Sequence, residues 1–443
     1  MGIASCSSDG NDAAKGTASE AETTTTTGEE TTKRPFRVYT PQATWPLDEG
    51  RQALLGKVND YALGVFRLAL AESEGGSNIF SPLSLNYAVA MTGLACDGTP
   101  LEQLNTALGL DADDTTSLHD LMASLMLGLP KQDNAVDICL ANAFYSNSSR
   151  GDVMTNPEFQ KALREAYKAD CQTLDFGQQA TLDYMNQWCS EQTKGFIPKV
   201  FDQLDPTYIS CLLNALYFKG DWTIPFPTDL TREEKFMGED GSCAKLPMMI
   251  SAEPTSFQYA EDELMQAVRL PYANGHFGMT ILLPREGHTT SDIVGDLSAE
   301  RLTALAKEMK YEDVLVSLPR FETKQTTQLI EPMERMGLSS WFHGDNIRGM
   351  VLDLDGTTPH GVYIAEAFQV ARIKVNEKGT EAAAVTVFAY TDKCEPDNPK
   401  EFRADHPFVY LITEEESGAV LFIGTYQGET TGNTETGIMK VES

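Results

Sequence analysis

The sequence is poor in positive charge and lacks the residue spacings that bind metal ions. Lysine and arginine total 34 against 65 aspartates and glutamates, which gives a formal net charge of -31 at pH 7. This charge argues against nucleic acid, heparin-like polyanions and anionic membranes as partners, because each would be repelled. The six histidines include neither an HExxH motif nor a close pair. Neither a metal site nor a cofactor is therefore expected.

Long apolar runs and regular cysteine spacings are also missing. No run of 18 apolar residues exists, so no segment is predicted to span a membrane. Nucleophile elbows and phosphate loops are absent, which argues against an enzyme. In a chain of 443 residues without a CxxC pair, the cysteines need not form structural disulfides. The eight cysteines lie at positions 6, 96, 139, 171, 189, 211, 243 and 394.

Composition divides the chain into a folded body and two polar ends. Residues 7–35 contain almost no large apolar side chains, so they cannot bury enough surface to offset the entropy of ordering. We predict a disordered tether at 7–45, a folded domain at 46–427 and a loose tail at 428–443, which is rich in Thr, Gly and Glu.

The first residues, Ile3-Ala4-Ser5-Cys6, resemble a bacterial lipobox. Residues 1–6 are therefore interpreted as the remnant of a lipoprotein signal, with Cys6 as the lipid attachment site. The basic and hydrophobic parts of a signal peptide are absent, so this end is expected to be trimmed. The hypothesis predicts an exported protein that is either secreted or held by its N-terminal lipid in an outer membrane, facing the cell surface or the periplasm.

The folded body mixes helical and strand patterns without regular alternation. Apolar residues recur at three- and four-residue spacing from Leu54 to Leu68, which predicts an amphipathic helix. Such a mixture indicates one α+β domain with large, mainly antiparallel sheets. Further helices are predicted around 80–95, 117–129, 157–169, 180–192 and 298–309. Strands are predicted at 136–145, 208–218, 265–271, 277–284, 313–322, 363–376, 406–413 and 418–425.

The stretch after Gly379 has the pattern of a strand of which one face could be buried. Its residues are small and uncharged except for Glu381. An Ala-rich helix is the alternative, but three β-branched residues at 385–387 and the hinge glycine argue against it. The charge-free face comprises Thr380, Ala382, Ala384, Thr386, Phe388 and Tyr390, and the other face comprises Glu381, Ala383, Val385, Val387, Ala389 and Thr391. Residues 392–400 follow with two prolines and five charges, which suits an exposed loop.

Four blocks, taken together and in order, resemble the serpin family over residues 50–427. The resemblance implies about nine helices around three large sheets, with an exposed reactive-centre loop at about 377–400. Together with the lipobox-like start, it suggests a bacterial lipoprotein member. The blocks are Asn78–Leu85, continuing through Gly93 and Gly98-Thr99 to Gln103; Asn214–Trp222; Val375–Ala384; and His406-Pro407-Phe408 with Leu421–Gly424.

The resemblance implies a single-use inhibitor of serine endopeptidases that acts as a monomer with a metastable fold. The target protease attacks the loop and forms an acyl-enzyme, which is trapped as a covalent 1:1 complex when the cleaved loop inserts as a new strand. Counting seventeen residues with Glu377 as the first places the attacked bond at Lys393–Cys394. A lysine there suits a trypsin-like enzyme. Phe388 and Tyr390 offer alternative cleavage points for chymotrypsin- or elastase-like enzymes.

The family also implies roles for residues around the central sheet. Ser81, Ser84 and Asn214 match the shutter, Gln369 stands where many members carry a histidine, and Trp222 matches the breach where insertion begins. Simple core packing is an equally good interpretation of each. The hinge and insertion residues are Glu377, Gly379, Thr380, Glu381, Ala382, Ala383, Ala384 and Thr386.

Two alternatives within the family stay open. One is a non-inhibitory serpin, such as a carrier or chaperone, but such members usually lose the small hinge residues that are intact here. The other is a second activity against papain-like cysteine proteases. Cys394, beside the predicted bond, would be an exposed thiol that can be oxidised or pair with another chain.

Overall fold

The computed structural model places most of the chain in one mixed body of helices and sheets. It describes residues 2–6, for which only the backbone is considered, 40–73, 75–111, 115–344, 346–380 and 398–428. No described helix is long and apolar enough to cross a bilayer.

Nine α-helices occur in the described part of the chain. They include every helix predicted from periodicity, and the three helices α3, α7 and α9 were not predicted. The bounds are α1 Glu49–Glu72, α2 Pro82–Gly93, α3 Gly98–Ala107, α4 Thr115–Gly128, α5 Pro157–Tyr167, α6 Gln179–Gln192, α7 Thr290–Asp296, α8 Ala299–Glu308 and α9 Ile330–Met333.

The starts of the first two helices follow from local capping chemistry. The Asp48 side chain accepts a hydrogen bond from the Arg51 backbone and begins α1. Ser81 caps α2 by accepting from the backbone of Ser84, and Pro82 occupies the first turn, where its missing N–H costs nothing. Every residue of α2 is buried, so this helix lies inside the molecule.

Nineteen strands are described. Their bounds are β1 Gly2–Cys6, β2 Asn78–Phe80, β3 Val136–Asn147, β4 Val153–Thr155, β5 Asp170–Leu174, β6 Ser210–Asp221, β7 Arg232–Met237, β8 Cys243–Ile250, β9 Thr255–Glu261, β10 Met265–Tyr272, β11 Phe277–Pro284, β12 Lys310–Pro319, β13 Phe321–Gln328, β14 Ile347–Asp353, β15 Pro359–Asn376, β16 Gly379–Thr380, β17 Lys400–Arg403, β18 Phe408–Glu414 and β19 Val420–Tyr426.

Hydrogen bonding joins these strands into two continuous sets. The first, the central sheet, has the order β4-β14-β15-β1-β6-β3-β5, with β13 on β15 and with β16 between β15 and β6. The second, the ten-stranded sheet, has the order β2-β19-β18-β11-β10-β9-β12-β8-β7, with β17 on β12. Three sheets were expected. Two of them merge because β12 pairs with β9 through residues 310–314 and with β8 through 317–319.

The predicted α+β class with mainly antiparallel sheets is confirmed. Among the described pairings, β3 with β5 and β12 with β17 are parallel, and the others are antiparallel. The main apolar core includes α2 and the buried faces of both sheets. A smaller apolar cluster covers the outer face of the central sheet beneath α6 and includes Tyr145, Met185, Trp188 and Leu213.

Candidate functional site

The candidate site is a gap in the central sheet between β6 and β15, called the slot below. No direct pairing of β6 with β15 occurs among the described strands. Instead, β16 lies between them at one end. At the other end β1 lies between them and pairs antiparallel with both. The slot is therefore bridged at its two ends by short strands.

The hinge glycine is required by close backbone packing. Gly379 lies opposite Asp221 and Asn376, and its φ of 151° is one that L side chains rarely adopt. A Cβ atom at this position would lie 2.2 Å from the carbonyl oxygen of Gly220. Any larger residue would push β16 away from β6. The residue predicted to act as a hinge thus permits the pairing of β16 with β6.

Thr380 is held inside the slot by an aromatic pair. It is buried between Gly220 and Val375, and its hydroxyl lies 2.5 Å from the hydroxyl of Tyr272. The Tyr272 ring stacks on Trp222 with 4.5 Å between centroids and 11° between planes. Trp222 also donates from Nε1 to the carbonyl oxygen of Asn376 at 2.9 Å. The predicted breach tryptophan therefore fixes the turn at which the loop leaves β15.

Glu377 anchors the same turn through its side chain and its backbone. Its carboxylate forms an ion pair with Arg320 and accepts from Thr231 Oγ1 at 2.8 Å. Its carbonyl accepts from the Phe226 backbone at 2.8 Å. Burial alone would raise the pKa of Glu377, but the hydrogen bonds from Arg320 and Thr231 outweigh it and hold the pKa below its ordinary value. The carboxylate is therefore charged at neutral pH.

Ser81 and Gln369 meet beneath the slot. The Ser81 backbone N–H donates to Gln369 Oε1 at 2.6 Å, and Gln369 Nε2 donates back to the Ser81 carbonyl at 3.0 Å. The Ser81 hydroxyl donates to the Leu421 carbonyl at 2.8 Å and accepts from the Ser84 backbone. These bonds tie the start of α2 to β15 and to β19. Glutamine thus forms both hydrogen bonds without a titratable ring.

Asn214 pairs across the sheet with Asn142. Its Nδ2 donates to Asn142 Oδ1 at 2.8 Å, and both side chains are buried. Ser81, Ser84, Asn214 and Gln369 line one cleft with about 470 Å³ of empty volume. The structure therefore brings together the four residues that the resemblance assigned to the shutter, but their roles stay predictions.

The remaining predicted site residues lie mostly outside the described part of the chain. Cys6 is the last residue of β1 and lies opposite Tyr363 of β15, and its lipidation stays a prediction. Lys400, at the end of the predicted loop, begins β17. The predicted site residues that lie outside the described part of the chain are Glu381, Ala382, Ala383, Ala384, Thr386, Phe388, Tyr390, Lys393 and Cys394.

Sequence reasoning missed three contributors to the site. Tyr272 holds Thr380, Arg320 pairs with Glu377, and Asn142 pairs with Asn214. Arg320 lies within the strand predicted at 313–322, but no pattern in the chain points to its partner. Tyr272 and Asn142 occupy ordinary strand patterns, so only the tertiary pairing shows their contacts.

Comparison with known proteins decides the family. A profile of the serpin (serine protease inhibitor) family matches residues 56–427. The chain belongs to the serpin family. It is 31% identical to the leukocyte elastase inhibitor of Homo sapiens over 379 residues, which cover 83% of this chain and 97% of that protein. It is 30% identical to a serpin-like protein of Thermococcus kodakarensis over 414 residues, which cover 90% of this chain and 92% of that one.

Solved serpin structures share the fold. The crystal structure of the thermophilic serpin tengpin in the native state superposes with a TM-score of 0.76 at 26% identity, covering 88% of this chain and 97% of tengpin. The family consists of serine protease inhibitors, so a target protease is the expected partner. In this serpin β6 and β15 form the two walls of the slot, and within the described part of the chain β16 and β1 bridge them at its two ends.

Proposed function

We propose that this serpin inhibits a trypsin-like serine protease as a suicide substrate. The protease cleaves the reactive loop, and the acyl-enzyme is trapped when the loop inserts between β6 and β15. The observation that carries the proposal is that Thr380 is already hydrogen-bonded between both strands. The chain that follows it therefore starts in register for the slot. Serpin loop insertion is a known instance of strand addition.

The energy of insertion is sufficient to deform a bound protease. About a dozen inserted residues at a net ~1 kcal/mol per hydrogen bond give on the order of 10 kcal/mol. The charge-free face of the loop adds apolar burial, because even-numbered residues continue the register of Thr380. In that register Ala382 lies opposite Phe218 and Ala384 opposite Leu216, and both partners belong to the main core.

Lys393 is the residue that we propose to enter the specificity pocket of the target. The count from Glu377 reaches it, and a lysine suits the acidic pocket of trypsin-like enzymes. An elastase- or chymotrypsin-like target is the second candidate. It is supported by Phe388 and Tyr390 in the loop and by relatives named leukocyte elastase inhibitor.

The bond and the mechanism can be tested together by mixing the serpin with trypsin. We expect an SDS-resistant complex, and mass spectrometry should find a released C-terminal fragment that begins at Cys394. Lys393→Ala should slow complex formation at least about 100-fold, while the control Lys393→Arg should retain it, since trypsin accepts either basic residue. With chymotrypsin or elastase in place of trypsin, a covalent complex and fragments beginning at Ala389 or Thr391 would move the bond to Phe388 or Tyr390.

A non-inhibitory role is disfavoured by the hinge. Thr380 is small and buried, and Gly379 fits a space that no other residue would fill. Cleavage of the loop without any complex, whatever the protease, would support a carrier or chaperone instead. A papain-like cysteine protease in the same assay tests for a second target class.

We further propose that the protein is exported and acts as a monomer. The lipobox-like start supports a lipid on Cys6, and a tether would hold the inhibitor away from the membrane. Mass spectrometry of the N-terminal peptide tests this directly, because lipidation adds acyl chains to Cys6. Light scattering tests the monomer.

A further inference from the structure

The N-terminal strand β1 occupies the part of the slot that the cleaved loop needs. Gly2 lies opposite Leu213 of β6 and Phe368 of β15. Thr380 lies opposite Gly220 and Val375 in the same slot. Seven residues along β6 separate Gly220 from Leu213, and seven along β15 separate Val375 from Phe368. Continuing the loop by seven residues from Thr380 therefore brings Val387 to the position of Gly2 on both walls.

The direction of β1 matches as well as its register. Both β1 and β16 run antiparallel to β6 and to β15, so they point the same way along the slot. Ile3 then holds the position of Phe388, opposite Leu212 and Ala367. Ala4 and Ser5 lie opposite Cys211 and Ser210 of β6, where Ala389 and Tyr390 would arrive. Two strands cannot pair with the same backbone groups at once.

We propose that Gly2–Cys6 is an intramolecular plug. It competes with the reactive loop for the end of the slot that is lined by Ser210–Leu213 of β6. This proposal rests on the proposed function, because it concerns the insertion of the same loop. With the plug in place, insertion ends after Thr386, six residues beyond Thr380. At about 3.3 Å per residue the protease would travel about 20 Å instead of about 43 Å for insertion up to Lys393. The plug must therefore leave before the protease is fully displaced.

The plug and the proposed lipid on Cys6 cannot be present in the same molecule. Processing in front of Cys6 would remove Gly2–Ser5, which lie on β6 at the positions that Val387–Tyr390 would take. A chain that keeps Gly2–Ser5 would hold its slot closed against insertion without cleavage, and a chain that begins at Cys6 would have it open. Removal of the plug and attachment of the lipid would be one event.

A reversible disulfide between the plug and β6, called the lock below, tests the proposal in the full chain. Ala4 is the register partner of Cys211, which is a buried free cysteine. Directly opposite residues in an antiparallel pair have Cα atoms about 4.5–5.5 Å apart, a distance that a disulfide can span. In a Cys6→Ser, Cys189→Ser background, Ala4→Cys should therefore crosslink to Cys211 under mild oxidation. Gly2→Cys, which faces Leu213, is the control that should not crosslink.

The lock should convert the inhibitor into a substrate. In the oxidised Ala4→Cys protein we expect trypsin to cut the loop while the yield of covalent complex falls at least about tenfold, the factor that corresponds to ~1.4 kcal/mol. Reduction should restore the yield. Absence of the disulfide, or equal yields in both redox forms, would overturn the plug. A reduced protein that also forms no complex would refute the proposed function. The plug would then be tested by thermal stability alone: reduction of the oxidised, nicked protein should raise its Tm if the plug had blocked insertion.

A deletion gives an independent readout. Removing residues 2–6 should speed the spontaneous loss of inhibitory activity on warming at least about tenfold, because the open slot accepts the intact loop. Ile3→Pro should act in the same direction, since proline cannot donate to either neighbouring strand. Ser8→Pro, outside β1, is the matched control. Equal lifetimes of the deletion variant and the full chain would contradict the proposal.

Discussion

The two sheets of this serpin differ in how completely their strands are paired. In the ten-stranded sheet β11 pairs along its length with β10 and β18, and all eight of its residues are buried. Among the described residues of the central sheet, the long strands β6 and β15 are bridged by the two residues of β16 and the five of β1. In the described part of the chain, one sheet is continuously paired. The other has the slot into which we propose that the loop inserts.

The buried contacts beside the two sheets differ in kind. A buried aromatic cluster of Phe321, Phe408, Tyr410 and Tyr426 closes the core beside the ten-stranded sheet. In the central sheet, buried polar pairs lie beside the slot: Ser81–Gln369 joins the start of α2 to β15, and Asn142–Asn214 joins β3 to β6. Hydrogen bonds can be exchanged during opening, whereas interlocked apolar side chains cannot move without loss of packing.

The largest effect should come from a charge on the inserting face of the loop. Ala384→Glu would arrive opposite Leu216 in the main core, so insertion would bury an unpaired carboxylate at a cost of several kcal/mol. We expect cleavage without complex on SDS gels. The matched control Ala383→Glu would arrive opposite Arg372 and Tyr217 on the outer face and should keep the parent's yield. Equal yields for both variants would show that the facing is wrong.

A core truncation in the ten-stranded sheet should reduce stability without affecting trapping. Ile281 of β11 is fully buried, so Ile281→Ala should lower the free energy of unfolding by about 2–5 kcal/mol. Denaturant unfolding measures the loss. The ratio of complex to cleaved inhibitor, measured on the folded fraction, should stay that of the parent. A changed ratio would mean that the two sheets are coupled.

One tyrosine hydroxyl can be removed beside the slot and one in the ten-stranded sheet, and the effects of the two losses can be compared. Tyr272→Phe deletes the hydrogen bond to Thr380, and Tyr410→Phe deletes the bond to the Asn78 carbonyl. Each should cost about 1 kcal/mol. Only Tyr272→Phe should speed the loss of activity on warming, because only that bond restrains the hinge. The two rates are compared by residual trypsin inhibition over time.

The smallest effect concerns pH at the hinge. Because the folded pKa of Glu377 is lowered, its contribution to stability is present above the ordinary carboxyl pKa and is lost as pH falls through the folded value. Arg320 is half-exposed, so the pair should contribute no more than about 1 kcal/mol. The Tm difference between the parent and Glu377→Gln should therefore shrink between pH 7 and pH 3. A difference that grows over this range would contradict the assigned ion pair.

Sequence periodicity predicted the elements whose burial follows a clear pattern. The helix from Leu54 to Leu68 and the apolar strand β11 are examples. Strand β7 was missed because five of its six residues are charged or lie at the exposed edge, and only Phe236 is buried. The pattern at 313–322 covered parts of two strands, β12 and β13, because Arg320 between them does not interrupt the apolar run.

Residues of the candidate site could be predicted from the sequence where the local backbone conformation requires one residue type. Gly379 could be recognised from the sequence because a hinge with this backbone conformation needs glycine. The contacts of Tyr272 and Asn142 join strands far apart in the chain, and no local preference specifies them. The pairing of β1 could not be predicted either, because it depends on the open slot and not on the composition of residues 2–6.

The central claim is that the segment after Gly379 is more stable as a strand in the slot than as an exposed loop. Nicking the loop with a protease that this serpin does not trap, and measuring Tm of the nicked protein against the intact one, tests this most directly. A gain on the order of 10 kcal/mol should raise Tm by roughly 20 °C or more, with additional β-signal in circular dichroism. An unchanged Tm in fully nicked protein would contradict the account.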